Sequence, residues 1–149
     1  MNFTTRKANK KDEKIICDLF FEMLRTIYNT DDVQGYEEGY LDNFFSDGEN
    51  VIYVAEIEGE IVGYISVEVH REDRVFIYID DFSVSKEYRG NGIGNALLNE
   101  AEKYASSLSI HVSSLHVEKS NERALNFYSR NGYKVFEDQE NRLLLIKEL

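Results

Sequence analysis

Apolar residues first fall into a helical rhythm. Ile15, Ile16, Leu19, Phe20, Met23, Leu24 and Ile27 recur at three- and four-residue steps. This spacing lines one face of an amphipathic helix. Asn9 precedes it as a capping residue, with Asp12 and Glu13 in the first turn, where negative charge complements the helix dipole. Phe3–Arg6 predicts a short first strand. Tyr28–Val33 breaks the helical pattern. Tyr36, Tyr40, Leu41, Phe44 and Phe45 then mark a second, shorter helix ending in Ser46–Asn50.

From there the pattern turns to strands. Val51–Ile57 is β-branched and apolar, Glu58-Gly59 is a turn signal, and Glu60–His70 returns as the second arm of a hairpin. Arg71–Asp73 turns the chain into a third long strand, Arg74–Val84. After a glycine-rich segment, Ile93, Ala96, Leu97, Ala101, Tyr104, Ala105 and Leu108 mark a strong helix. Ile110–Val117 reads as a strand, and Ser120–Arg130 as a short helix stopped by Gly132. Tyr133–Asp138 and Arg142–Lys147 form a last strand pair. The order β, α, α, β, β, β, α, β, α, β, β predicts an α/β (α+β) fold, a mixed and mostly antiparallel sheet of about seven strands with about four helices on both faces. The helical connection from Arg74–Val84 to Ile110–Val117 is a crossover, so those two strands should be parallel.

Composition narrows the classes. The chain has 149 residues, 42% hydrophobic and 30% charged, which fits one soluble domain over residues 1–149. No apolar run approaches the ~20 residues of a membrane span, so no membrane partner is expected. A single cysteine, Cys17, excludes an internal disulfide framework, and a cytoplasmic location is the default. The formal net charge of −11 argues against sequence-independent nucleic-acid binding, which needs Lys and Arg on phosphates. It favours cationic ligands through long-range steering. His70, His111 and His116 show no metal-ligand spacing, so no metal is expected.

The candidate chemistry centres on Arg89-Gly90-Asn91-Gly92-Ile93-Gly94, which follows a strand and opens a helix. Unpaired amides at a helix start, with the helix dipole, cradle phosphate oxygens. Gly92 is followed by Ile-Gly rather than Lys-Ser/Thr, so this is no Walker A loop. The spacing also departs from the dinucleotide fingerprint, and the preceding sheet is hairpin-built.

Arg89-Gly90-Asn91-Gly92-Ile93-Gly94 resembles the Q/R-x-x-G-x-G/A segment of the GNAT superfamily of N-acetyltransferases. A second block is similar as well: Leu115–Asn121, then Ala124, Phe127-Tyr128 and Gly132-Tyr133. The order of elements matches from end to end. The resemblance implies a GNAT acetyltransferase domain over 1–149 that uses acetyl-CoA. It implies that Phe82, Ser83 and Val84 bind the pantetheine arm through their backbone, that Arg89, Gly90, Asn91, Gly92, Ile93 and Gly94 take the pyrophosphate, and that Asn121 bonds the pantetheine. Tyr128 would be the general acid for the leaving thiolate, although spacing alone leaves it readable as a core aromatic.

Asp80 is the first choice of general base. In a regular strand Asp81 faces the opposite side, an assignment that a bulge would upset. Glu118 and ordered water are alternatives. His116 reads as structural or solvent-exposed, and Phe127 as core. Tyr78–Val84 with Tyr88–Gly90 is similar to spermidine/spermine N-acetyltransferases, which carry Glu where this chain has Asp80. The expected acceptor is therefore a small cationic, polyamine-like primary amine, bound where Asp80, Asp81, Asp31, Asp32 and the rest of the segment to Glu38 converge. A protein or peptide acceptor and a non-catalytic coenzyme-A-binding regulatory domain are the alternatives. A homodimer is allowed but not required.

Overall fold

The computed structural model describes residues 2–149. It is built on a seven-stranded sheet: β1 (Thr4–Lys7), β2 (Val51–Ile57), β3 (Glu60–His70), β4 (Phe76–Val84), β5 (Val112–Glu118), β6 (Lys134–Gln139) and β7 (Arg142–Glu148). The strand order is β1-β2-β3-β4-β5-β7-β6. Only β4 and β5 pair in parallel, as the crossover between them demands; the other neighbours are antiparallel. This is the mixed, mostly antiparallel sheet that the sequence pattern predicts.

Helices α1 (Glu13–Tyr28), α2 (Asp42–Phe45), α3 (Ile93–Ser107) and α4 (Glu122–Arg130) cover both faces. Alternation along β2 divides the burial. Val51 and Ala55 join a core with Leu97, Leu98, Ala101 and Ala105 of α3. Ile52 and Val54 join a second core with Ile16 and Leu19 of α1 and Phe44 of α2. At the start of α1, Asn9 and Asp12 form a reciprocal capping box around a single 3-10 turn, which satisfies two otherwise orphaned amides.

Several element boundaries depart from the sequence reading. The predicted second helix shrinks to one turn, Asp42–Phe45. Tyr36 and Tyr40 lie in the loop before it, held by a ring stack that starts on α1: Phe20–Tyr36 at 3.9 Å between centroids, then Tyr36–Tyr40 at 5.1 Å. Stacking on α1, not helical periodicity, sets the aromatic spacing there. Gly35 fits this loop because a Cβ at that position would lie 2.6 Å from the Phe21 ring. The first strand starts at Thr4, and the third long strand starts at Phe76 instead of Arg74.

Two irregularities in β4 position the site. Its ladder with β5 covers only Ile77, Tyr78 and Ile79 against Ser113, Ser114 and Leu115. Beyond Ile79 the two strands part, and β4 retains a strand partner only in β3, with Ile65, Tyr64 and Gly63 opposite Phe82, Ser83 and Val84. The β3–β4 register also shifts between Ile65 and Val67, because Phe82 faces Ile65 while Ile79 faces Val67. Ser66 alone therefore opposes both Asp80 and Asp81, which is a β-bulge in β4.

Candidate active site

A cavity of about 540 Å³ opens where β4 and β5 part, bounded by the ends of α1, α3 and α4. Phe82, Ser83, Val84, Arg89, Gly90, Gly92, Ile93, Gly94, Asn121 and Tyr128 all line it. The two sequence blocks thus meet in one cleft.

The glycine-rich loop presents its backbone to the cleft. The first helical bond of α3 runs from the Ala96 amide to the Gly92 carbonyl at 3.1 Å, so the amides of Ile93, Gly94 and Asn95 have no acceptor within the helix. Gly90 and Gly92 have φ of +81° and +83°, and a Cβ added to either would meet nothing within 4 Å. The loop is therefore a cradle with room for an anion, in a conformation that strongly favours glycine. Arg89 Nε donates to the Val84 carbonyl at 3.1 Å, fixing the guanidinium across the mouth. Burial and the neighbouring Arg123 lower its pKa. Asn91, absent from the lining, uses its side-chain amide to tie the loop to the Tyr88 carbonyl at 3.0 Å. This set fits a pyrophosphate. On the side of β4 that β5 has left, the backbone of Asp80–Val84 has no strand partner and can pair with the amides of a pantetheine arm.

Asn121 has a structural duty that the sequence reading did not assign. Its Oδ1 accepts the Ala124 amide at 3.2 Å and caps α4. Asn121 also lines the cleft. On the same helix Tyr128 is 9% exposed, and its ring packs at 5.4 Å from Phe127 and 5.6 Å from Tyr133. Burial alone pushes its pKa up, so the phenol stays protonated. Phe127 lines the cleft and stacks edge-on with Phe82 at 5.8 Å.

The carboxylates sit elsewhere. The bulge corrects the alternation argument: Asp80 and Asp81 both point to the face covered by α1 and its following loop. Tyr40 O–H donates to Asp80, and Tyr36 O–H donates to Asp81 at 2.6 Å. Tyr36 also lies 2.9 Å from the hydroxyl of Tyr64. Since Tyr36 gives its proton to Asp81, Tyr64 is the donor in that pair. Ser66 Oγ accepts the Asp81 amide at 2.9 Å, filling the place of the lost ladder bond. Burial, and then repulsion from Asp80, push the Asp81 carboxyl up to about 7. Asp31 and Asp32 are exposed, and no side-chain bond joins them to this cluster; the loop reaches it through Tyr36 and Tyr40 instead.

His116 is also more than a solvent-facing residue. Its Nδ1 lies 2.7 Å from Tyr78 Oη and its Nε2 3.0 Å from Gln139 Oε1. Gln139 directs its amide nitrogen to Glu137 at 3.2 Å, so its oxygen faces the histidine. That places the imidazole proton on Nε2 and leaves Nδ1 to accept from Tyr78. Burial and then Arg142 lower the His116 pKa and keep the ring neutral. The bridge spans β4 and β5 just where their ladder ends. Its signal in the sequence was the strand-borne pair Tyr78 and His116, visible only once the parallel register is known.

Comparison with known proteins gives consistent matches. The model of the Acetyltransferase (GNAT) family matches residues 19–133. An uncharacterized N-acetyltransferase of Methanocaldococcus jannaschii is 35% identical over 96% of this chain and 90% of its own length. The uncharacterized N-acetyltransferase YhfO of Bacillus subtilis is 30% identical over 87% of this chain and 88% of its own. Among solved structures, the PaiA N-acetyltransferase from Thermoplasma acidophilum in complex with coenzyme A superposes with a TM-score of 0.83 at 20% identity, covering all of both chains. Naa50 of Arabidopsis thaliana in complex with a bisubstrate analogue gives 0.78 at 22% identity, again over all of both chains.

Proposed function

This chain belongs to the GNAT family of acetyl-CoA-dependent N-acetyltransferases, and from that premise we propose that it acetylates the primary amine of a small cationic, polyamine-like molecule. Residues 1–149 serve as one acetyltransferase domain in this reading. Acetyl-CoA supplies an activated acetyl thioester. The loop Arg89–Gly94 holds the pyrophosphate, and the freed edge of β4 at Phe82–Val84 takes the pantetheine arm, with Asn121 donating its side-chain amide from the other side. A backbone amide at the parted end of β4 stabilises charge developing on the thioester oxygen.

The observation that carries the acceptor reading is the bulge. It turns both Asp80 and Asp81 toward one side and lays the Tyr36–Tyr40 stack beside them. Paired carboxylates walled by aromatic rings hold an ammonium ion by charge and by the ring quadrupoles. The same pair would take the amine's proton. Moving a proton from an ammonium of pKa ~10 to an ordinary carboxylate near 4 costs about 8 kcal/mol, but to a group near 7 only about 4 kcal/mol. Asp81 at about 7 is therefore the better acceptor, raised there by burial and then by Asp80. Tyr128 then protonates the leaving thiolate. The burial that keeps Tyr128 neutral also disfavours a thiolate beside it, so the transfer removes the charge the pocket solvates least well. No helix among the described residues is long and apolar enough to cross a membrane. A cytoplasmic location belongs to the same proposal, resting on the single cysteine.

An acceptor screen with acetyl-CoA, following thiol release, tests this reading. Spermidine, a monoamine and a lysine peptide are compared over a salt series. Spermidine should be preferred, with a KM that rises as salt screens the carboxylates. Preference for a neutral or anionic amine, or a KM indifferent to salt, rules out the cationic acceptor.

A further inference from the structure

Helix α1 reaches the cleft with its last turns, where Met23, Thr26 and Ile27 join the lining. Glu22 precedes them on the same helix. Its Oε1 accepts the backbone amide of Lys86 at 3.0 Å, across 64 residues of chain. Lys86 opens a single 3-10 turn, Lys86–Tyr88, that runs straight into the Arg89–Gly94 loop. The first amides of such a turn have no acceptor inside it, and Ser85, in the capping position, makes no side-chain bond to them. A carboxylate from another helix therefore caps the entrance of the phosphate loop. A neutral oxygen would cap as well, since Ser and Asn serve caps as readily as acids do. The charge of Glu22 exceeds that need. Among the described residues Glu22 is in no ion pair. It acts on Arg89 instead, raising that guanidinium's pKa against the larger effects of burial and Arg123.

We infer that Glu22 is a positioning residue that holds the entrance of the phosphate loop in place, and that its charge limits how tightly the coenzyme is retained. The inference rests on the acetyl-CoA reading above. Acetyl-CoA and the spent coenzyme carry the same pyrophosphate. Affinity at that group is therefore uniform: it strengthens substrate and product alike, adds nothing to the chemical step, and slows departure of the spent thiol. A carboxylate close to the loop subtracts from that affinity by repulsion, while its bond to Lys86 keeps the loop shaped for entry. The two effects have opposite signs on binding, and side-chain chemistry separates them. Glutamine keeps an oxygen for the Lys86 amide and loses the charge; alanine loses both.

Calorimetry with coenzyme A tests this on the wild-type protein, E22Q and E22A over a salt series, with thermal melts to verify the fold. E22Q should bind coenzyme A at least about threefold more tightly than the wild type at low ionic strength, and the advantage should shrink as salt screens the charge. Product inhibition by coenzyme A should tighten in E22Q to the same degree. E22A should bind about two- to tenfold more weakly than E22Q, the range expected for one lost hydrogen bond. An E22Q affinity equal to or below the wild type's overturns the inference, and so does an advantage that ignores salt. Equal affinities in E22Q and E22A also overturn it, because the bond to Lys86 would then position nothing. A wild type that does not bind coenzyme A at all would instead overturn the acetyl-CoA reading on which the inference rests.

Discussion

Asp81→Asn should make this protein more stable and less active, and the stability gain should depend on pH. The fold raises the Asp81 carboxyl from 3.8 to about 7, roughly three units at 1.36 kcal/mol each, or about 4 kcal/mol as an upper bound. Part of that is repulsion from Asp80, which relaxes when the pair shares one proton, so about 2 kcal/mol is the expected effect. A carboxyl whose folded pKa is raised contributes fully below the unfolded value, near 4. That contribution is lost as pH climbs to about 7 and is then constant. Asparagine imitates the protonated acid. Its oxygen accepts from Tyr36 and its amide can donate to Asp80. The difference between the variant and the wild type should therefore be smallest at pH 4 and grow as pH rises. At pH 8 the variant should lead by roughly 4–8 °C, taking 2–4 °C per kcal/mol for a chain of this size. Differential scanning calorimetry from pH 4 to 9, with acetyl transfer at each pH, reads both quantities. A melting difference that does not change with pH, or a variant that melts lower at pH 8, refutes the reasoning.

Tyr128→Phe keeps the ring packing and removes the proton, so turnover should fall roughly 10²–10⁴-fold while coenzyme affinity barely moves; turnover within about a factor of two of wild type would exclude Tyr128 as the acid. Gly92→Val forces a β-branched residue into φ +83°, costing about 1–2 kcal/mol of backbone strain. It also fills the anion cradle, so coenzyme affinity by calorimetry should drop at least about tenfold with the far-UV spectrum retained. Unchanged affinity would show that the cradle is not used.

Periodicity carried most of the fold. The amphipathic spacing of α1 and α3, the Glu58-Gly59 turn and the crossover to β5 each reduce to a local pattern with one physical solution. The cleft was legible for the same reason, since Arg89–Gly94 and Asn121–Tyr128, which meet in it, are contiguous segments. The carboxylate cluster was not. Its geometry depends on one surplus residue in β4, which moves Asp81 across the sheet, and a bulge leaves no mark in a run such as Ile79-Asp80-Asp81-Phe82. Tyr36 and Tyr40 looked helical because four-residue spacing suits a helix and also suits rings stacking down from Phe20. The Tyr78–His116–Gln139 chain joins three strands through side chains far apart in sequence, so no single window contains it.

The short ladder between β4 and β5 has a mechanical consequence. Four strands lie on one side of that seam and three on the other, joined there by three residue pairs, the Ser114 hydroxyl on the Ile77 carbonyl and the Tyr78–His116 bridge. The sheet is thus two leaves sharing a short spine. In the proposed reading a pantetheine arm lying in the opening would add the missing stitches, making the cosubstrate a structural splint as well as a reagent. Loading the cosubstrate would then tighten the spine, and release of the spent thiol would slacken it.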